Sequence, residues 1–481
     1  MTTTKILLID TNTTPFNEAS PMYPIGLDYL QGVLKKNGLR DAYILDLTRK
    51  GGALTSSELG ERKNRSLNLI LETLSQNHWD VVGLGLRNID STYPVGEGDP
   101  RLHYYLPDLL DYVNCVTKGA FRPTYTVLGG TAFSMMPQVF LEGQPDTCYG
   151  VTGPGESSFP GLVEELLGGG RPSKMRCNPV PKIGKLQNQK LIEKYLRIPS
   201  GESTFGIRTK IGCGQRCSYC PYPVINGDGQ VLKDVDDVLD EISMLRNIIK
   251  KNGSKQPARL MFADDIFNRP LEHAKAILEG VLQSHAPMDS WHAYLDPMNI
   301  DDEFIELIFE TNGWCQYSRE AGPSKMSLRS FFFNFDMESG STQMLKRLGK
   351  PYEIKDIMAA LESFRRVKSR YEKRYDIHSI QFGFHILVGY PGEDKESIKE
   401  TCDFINETKP SKIAFQLGVR VYPYTRLAKE TKGSLWHKES DLIKPVFANM
   451  DKSELIDCLG KYLLPRYQMT KQKGNMILVS Q

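Results

Sequence analysis

The chain has 481 residues, 40% of them apolar and 25% charged, and its 60 Lys and Arg nearly cancel 58 Asp and Glu, for a formal net charge of +2. A chain of that length exceeds one ordinary core, so two or three domains are expected. The charge balance gives no basis for a nucleic-acid or membrane-surface partner; no apolar run reaches spanning length and MTTTKILLID does not read as a secretory leader, so a cytoplasmic protein is expected.

The first 170 residues alternate strand and helix patterns. KILLID (5–10), AYILDL (42–47), DVVGLGL (80–86), TYTVLGG (124–130) and CYGVTG (148–153) are short apolar runs, as in a parallel sheet covered on both faces. PIGLDYLQGVLKKNG places Leu27, Leu30, Val33 and Leu34 on one helical face and ends at Gly38. Residues 1–170 therefore read as an α/β, Rossmann-like domain. The following stretch, GGGRPSKMRCNPVPKIGKLQNQK, shifts to Gly, Pro and Lys, and a linker is read over 171–203.

A second alternating series spans 204–430, with candidate strands FGIRTK (205–210), RLMFADD (259–265), WHAYLDP (291–297), LRSFFFNFDMES (328–339), SIQFGFHILVG (379–389) and KIAFQLGVRVYP (412–423). Six β/α units predict a partial barrel, with chemistry at the carboxyl ends of its strands. Residues 431–481 read as a small helical cap.

Of nine cysteines, six (Cys115, Cys148, Cys177, Cys315, Cys402, Cys458) are scattered singly and read as small buried apolar residues. The other three, Cys213, Cys217 and Cys220 in IGCGQRCSYCPYP, follow the first strand of the second series. Gly212 and Gly214 allow a sharp loop there. A structural zinc ion normally takes four ligands, and no second cysteine pair is present. A disulfide would leave an odd thiol and conflicts with the expected compartment. An iron–sulfur cube takes one thiolate per iron, so three leave one iron open. The iron–sulfur reading leads, with zinc the alternative.

The spacing C-x3-C-x2-C, with Tyr219 before the last cysteine, resembles the radical S-adenosylmethionine (SAM) superfamily. The resemblance implies that Cys213, Cys217 and Cys220 hold a [4Fe–4S] cluster. The open iron would chelate SAM, and an electron from a donor such as flavodoxin or ferredoxin would cleave it to a 5′-deoxyadenosyl radical. Three further stretches carry the likeness. MESGSTQMLKRLGKPY resembles the fourth-strand motif, implying ribose contacts from Glu338 and Ser339. HILVGYPGEDKESI resembles the fifth-strand motif, with backbone at Gly389–Gly392 against adenine. VRVYPYTRLAKE resembles the sixth, with Arg420 or Tyr422 against the cofactor. Asp264 and Asp265, ending RLMFADD, are candidates for the SAM ammonium, or for a helix cap near Pro270.

In front of such a barrel, the first domain resembles the cobalamin-binding domain of the cobalamin-dependent subgroup, through YPIGLDYLQGVLKKNG, VLGG and TGPGESSF. Gly129, Gly130, Gly153 and Gly155 would let backbone approach a ligand. The motif D-x-H-x-x-G is missing, and no histidine precedes His78, so cobalamin without a histidine ligand is expected. Arg87 is the candidate for the lower corrin face, with a salt bridge to Asp90 or Glu97 the alternative.

The subgroup implies a methyltransferase that moves methyl from SAM through methylcobalamin to an unactivated carbon or phosphorus of a small biosynthetic intermediate, as in antibiotic pathways. LGLRNID and the short first domain most resemble phosphinate P-methyltransferases, then tryptophan C2-methyltransferases. A cobalamin-dependent cyclase or rearrangement enzyme is the alternative. An RNA methylthiotransferase would need a second cluster on the first domain, for which Cys115 and Cys148 are too few. Arg208, Lys210, His292, Arg420, Tyr294 and Asp296 are candidate substrate-lining residues.

Overall fold

The computed structural model describes residues 4–11, 23–47, 56–86, 106–177, 182–197, 204–252, 259–284, 290–311, 313–314, 330–374, 379–443, 446–448, 450–473 and 476–480. Its first sheet contains β1 (Ile6–Asp10), β2 (Ala42–Asp46), β3 (Val81–Gly85), β4 (Tyr125–Gly129), β5 (Cys148–Thr152) and β6 (Met175–Cys177). The order is β2-β1-β3-β4-β5-β6 and every pairing is parallel. All five residues of β1 are buried, as a strand covered on both faces requires. Strand order reverses beside β1, and ligand crevices in open α/β sheets lie at the carboxyl ends next to such a reversal.

The segment read as a linker is structured. Met175–Cys177 extends the sheet as β6, and Gln189–Leu196 is a helix capped by Asn188, whose side chain accepts from Leu191 N. Its approach is pinned by Asp28, whose carboxylate accepts from the N–H groups of Gln187 and Asn188 at 3.0–3.3 Å. A three-residue strand has too little period to be read from sequence, and Gly and Pro around it signal only turns.

The second series begins with β7 (Thr204–Ile207), then a short ladder of β8 (Lys210–Ile211) and β9 (Val231–Leu232). Next come β10 (Arg259–Phe262), β11 (Ser290–His292), β12 (Gly313–Trp314), β13 (Ser330–Glu338), β14 (Ser379–Val388) and β15 (Lys412–Leu417). Among the described residues β12-β11-β10-β7 form one parallel sheet, and β13-β14-β15 run parallel in a second. Each of the six expected strands overlaps one of β7, β10, β11, β13, β14 and β15; β12 is additional. The architecture is α/β, a parallel first sheet followed by a partial barrel.

After β15, β16 (Val419–Arg420) pairs with β17 (Phe447–Ala448). Residues 431–481 contain the helix Lys452–Tyr462, but also a hairpin the sequence pattern did not announce. Its strands, β18 (Gln468–Lys473) and β19 (Met476–Ser480), add antiparallel to β15. QMTKQK has no apolar alternation, so β18 is a strand because β19 pairs with it. Among the described residues no helix is long and apolar enough to cross a membrane.

The two units share a core. Leu84, Leu86 and Phe133 of the first pack in one cluster with Ile225, Leu348, Tyr390 and Tyr422 of the second.

Candidate functional site

The cysteine loop lies between β8 and β9, and its shape is set by backbone that only glycine tolerates. Gly212 has φ +80°, and a Cβ there would sit 2.1 Å from the Gly229 carbonyl oxygen. Ser218, between the second and third cysteines, is tied three ways. Its N–H donates to Leu348 O at 2.8 Å, its carbonyl accepts from Leu427 N at 2.8 Å, and its hydroxyl meets Tyr390 Oη at 2.7 Å. Cys220 N–H donates to Cys217 O at 3.2 Å, closing a turn. Cys213 is buried and Cys217 and Cys220 are half-buried; all three are free thiols. Burial pushes all three thiols up, while the Lys350 ammonium pulls Cys217 back down.

Three thiols on one glycine-shaped loop suit a cluster with one thiolate per iron. Among the described residues no group of three or more His, Cys, Asp or Glu gathers closely enough to hold a single ion. Three thiolates supply one ligand to each of three irons of a cube, while a structural zinc ion would lack its fourth protein ligand, so the donor set fits a multi-iron group.

Around the loop, side chains from four strand ends converge. Glu338, at the end of β13, accepts from Tyr219 Oη at 2.5 and 2.6 Å and from Lys350 Nζ at 2.8 Å. Its φ is +60°, a conformation that costs a non-glycine residue about 1 kcal/mol or more. Such strain persists where surrounding contacts over-determine it, here two hydrogen-bonding partners. Gln215 Nε2 donates to Asp296 Oδ2 at 2.5 Å, and Arg269 Nη1 meets the same oxygen at 2.9 Å. The sequence marks Tyr219 only as an aromatic and does not single out Gln215, Arg269 or Lys350. Tyr219, Gln215 and Arg269 have partners 27 to 119 residues away, and Lys350 reaches both Glu338 and, 131 residues off, Tyr219, so no local pattern marks them.

The two aspartates after β10 divide their work. Asp264 is buried and accepts from Thr209 N at 2.8 Å, Thr209 Oγ1 at 2.5 Å and Lys210 N at 3.1 Å. It is thus consumed in holding the loop that leads to the cysteines. Asp265 is half-buried, accepts from Asn226 Nδ2 at 3.0 Å and feels the charge of Arg208. Neither caps the helix Leu271–Gln283, whose N-cap is Pro270 with no side-chain bond.

Ser339 is buried and turned to the protein. Its hydroxyl lies 3.2 Å from Thr401 Oγ1 and accepts from Ser341 N at 3.1 Å. Gly389 has φ +85°, and a Cβ would press on Leu455 Cδ1 at 2.8 Å. Its N–H donates to Glu393. Arg420 is buried, its guanidinium 4.9 Å from the Tyr422 ring centre.

Burial pushes the Glu393 carboxyl up to about 7. Its folded-state value lies above the ordinary one, so the folded chain keeps a proton the unfolded chain loses between about pH 4.5 and 7. That contribution is complete below pH 4.5 and is lost as pH rises through 7. Glu393→Gln is expected to flatten the fall in stability between about pH 4.5 and 7 by about 3 kcal/mol, read from urea midpoints.

Among the lining candidates, Arg208 pairs with Glu156 of the first unit at 3.3 Å, and Lys210 donates to the carbonyls of Phe267 and Arg269. His292 and Tyr294 are half-buried and Asp296 is buried.

On the first unit, the glycines stand at the carboxyl ends of β4 and β5. Gly130 has φ +91°, and a Cβ would lie 2.5 Å from Leu86 O; Gly153 has φ +73°, with Ile225 O at 3.0 Å. Gly155 begins the helix Gly155–Leu167. Gly130→Ala is expected to cost roughly 1–3 kcal/mol, as a lower thermal midpoint with the fold retained. The contact of Gly153 with Ile225 brings this sheet edge against the helix Tyr222–Asn226, directly after Cys220. Helix Thr131–Met135 packs there too. Arg87, with Asp90 and Glu97, lies outside the described residues.

Residues 207–405 match the model of the Radical SAM superfamily, so the chain carries a radical SAM domain. The chain as a whole has the fold of two cobalamin-dependent radical SAM proteins. With TsrM of Kitasatospora setae, a radical SAM methyltransferase solved with cobalamin and a [4Fe–4S] cluster, the TM-score is 0.65 at 20% identity, covering 98% of this chain and 82% of that one. With OxsB, solved with aqua-cobalamin and SAM, it is 0.64 at 15% identity, covering 95% and 66%. Among curated relatives, the ribosomal protein uS12 methylthiotransferase RimO of Alkaliphilus oremlandii is 26% identical over 47% of this chain and 44% of its own length. The chain thus spans less than half of that relative.

Proposed function

We propose that this chain is a cobalamin-dependent radical SAM methyltransferase acting on a small molecule. The observation that carries the reading is the abutment of two strand-end faces. The glycine-bearing edge of the first sheet meets the segment directly after Cys220, so groups bound at the two edges would be neighbours. Cys213, Cys217 and Cys220 would hold a [4Fe–4S] cluster, Asp265, Glu338 and the backbone at Gly389 would hold SAM, with Arg420 beside it, and Gly129, Gly130, Gly153 and Gly155 would admit cobalamin. When bound, these groups supply one-electron cleavage of SAM and a methyl carrier. The protein's own part is positioning. Ser218 is tied to the barrel by three bonds, Asp264 fixes the approach to the loop, and Glu338 is held by Tyr219 and Lys350. Asp264 and Ser339 serve as positioning residues in this arrangement.

The acceptor is a carbon or phosphorus of a biosynthetic intermediate, with flavodoxin or ferredoxin as electron donor and the cytoplasm as compartment. The solved structure of TsrM with tryptophan supports a small-molecule acceptor. The curated relatives favour a methylthiotransferase instead. Against it, Cys115, Cys148 and Cys177 are dispersed over helix Leu106–Lys118, β5 and β6. The test is anaerobic incubation with methyl-labelled SAM and either tryptophan or a phosphinate. Label in the product supports methyl transfer. Deoxyadenosine with an unlabelled, rearranged product supports a cyclase, and sulfur in the product a methylthiotransferase.

A further inference from the structure

The barrel interior holds an acid–base pair that none of the roles above uses. Asp336 of β13 faces His385 of β14, with Oδ1 and Nδ1 3.6 Å apart. The two strands are in register at Phe335 and Phe384. Those two rings point outward onto the barrel's helices, Phe335 to Phe364 at 6.1 Å and Phe384 to Phe404 at 5.9 Å. β14 keeps its register with β15 through Phe384 and His385, so His385 lies on the face opposite Phe384, toward the lumen. The pairing of β13 with β14 shifts between Phe335 and Glu338, and there Asp336 is placed by its contact with His385.

The face they share is polar and not fully packed. Asp336 and His385 keep 18% and 23% of their side-chain surface, which a packed barrel interior would remove. The chain through β11 shows the same alternation. Trp291, Ala293 and Leu295 are buried on the helix side, while His292 and Tyr294 between them stay half-exposed. His385 Nε2 is itself out of solvent with no hydrogen-bond partner, and such an atom calls for one.

Charge indicates what that partner is. The charged groups that bear on the pair are Glu338, Asp296 and Lys350. Glu338 is matched by Lys350, and Asp296 by Arg269. Asp336 faces only an imidazole in that set, so the lumen carries an excess carboxyl. Burial and the neighbouring Glu338 push the Asp336 carboxyl up to about 7, while burial keeps the His385 ring neutral.

Resting on the methyltransferase reading, we propose that Asp336 and His385 form the substrate-recognition pair of the barrel lumen. The pair takes a nitrogen that donates hydrogen bonds, an amine or an N–H heterocycle, in preference to a phosphinate anion. Asp336 accepts from the donor as a carboxylate, and neutral His385 accepts at Nε2.

The full chain, reconstituted anaerobically and labelled with 13C in the rings of its eight histidines, provides the test. His385→Gln assigns the signal, tryptamine is the N–H probe, and methylphosphinate is the anion. Tryptamine is expected to shift the His385 signal saturably, and methylphosphinate to leave it in place. Asp336→Asn, an isostere, is expected to weaken tryptamine at least ~10-fold by loss of a charged hydrogen bond, with Asp336→Ser as a second variant. An unmoved His385 signal, unchanged affinity in both variants, or a shift with methylphosphinate would each overturn the proposal. Iron content and SAM cleavage are measured on the same samples. If both are present while His385 stays unmoved, recognition alone fails. If both are absent, the enzyme reading fails, whatever His385 shows.

Discussion

Replacing Cys213, Cys217 or Cys220 singly by alanine is expected to abolish both the broad absorbance near 400 nm and reductive cleavage of SAM. The wild-type chain, purified without oxygen, is expected to hold about four irons. The loop that carries these thiols is tied by Ser218 to Leu348, Tyr390 and Leu427, contacts that do not involve the sulfurs. The fold is therefore expected to survive each substitution, with far-ultraviolet circular dichroism unchanged. This separates loss of a ligand from loss of structure. Survival of iron and of cleavage in the alanine variants, or zinc in place of iron in the native protein, would end the cluster assignment.

Glu241→Ala is expected to destabilise the chain by about 3–5 kcal/mol, seen as a lower urea midpoint, because it strands a buried ammonium. Lys233 and Glu241 form an ion pair with 2% side-chain exposure on each side. Burial pulls the Lys233 ammonium down and pushes the Glu241 carboxyl up, and their mutual attraction opposes both. The pair also joins the two units. Lys233 Nζ lies 4.8 Å from the ring centre of Tyr29, on the first unit's helix Ile25–Lys36, and 3.4 Å from its hydroxyl. That hydroxyl accepts from Arg208 N at 3.1 Å. Glu241 also accepts from Leu186 N at 2.6 Å, so alanine leaves that N–H without its partner as well. The double variant Lys233→Met, Glu241→Leu, which removes both charges, is expected to recover most of the loss. No recovery would show that the hydrogen bonds to Leu186 and Tyr29, not the charges, carry the effect.

Much of the fold was legible because periodicity is local. The apolar runs of β1, β3 and β14 and the stripe of Leu27, Leu30, Val33 and Leu34 each declare an element within about a dozen residues. What went unread was short or borrowed its structure from elsewhere. β6 and β12 have three and two residues and are strands because β5 and β11 pair with them. The same divide runs through the site. The cysteine spacing stood out because its ligands share one loop. Lys350, Gln215 and Arg269 did not, because what marks them is a partner brought close by the barrel.

The two alternating series, the three-thiol loop and the glycines that shape it are written locally in the chain, since backbone permissiveness and spacing are properties of neighbouring residues. Packing across the fold selects which of two adjacent aspartates is consumed, turns Ser339 to Thr401, and brings Asp336 to His385 inside the barrel. Those outcomes depend on strand register and on which face each side chain takes, and register is settled by long-range packing.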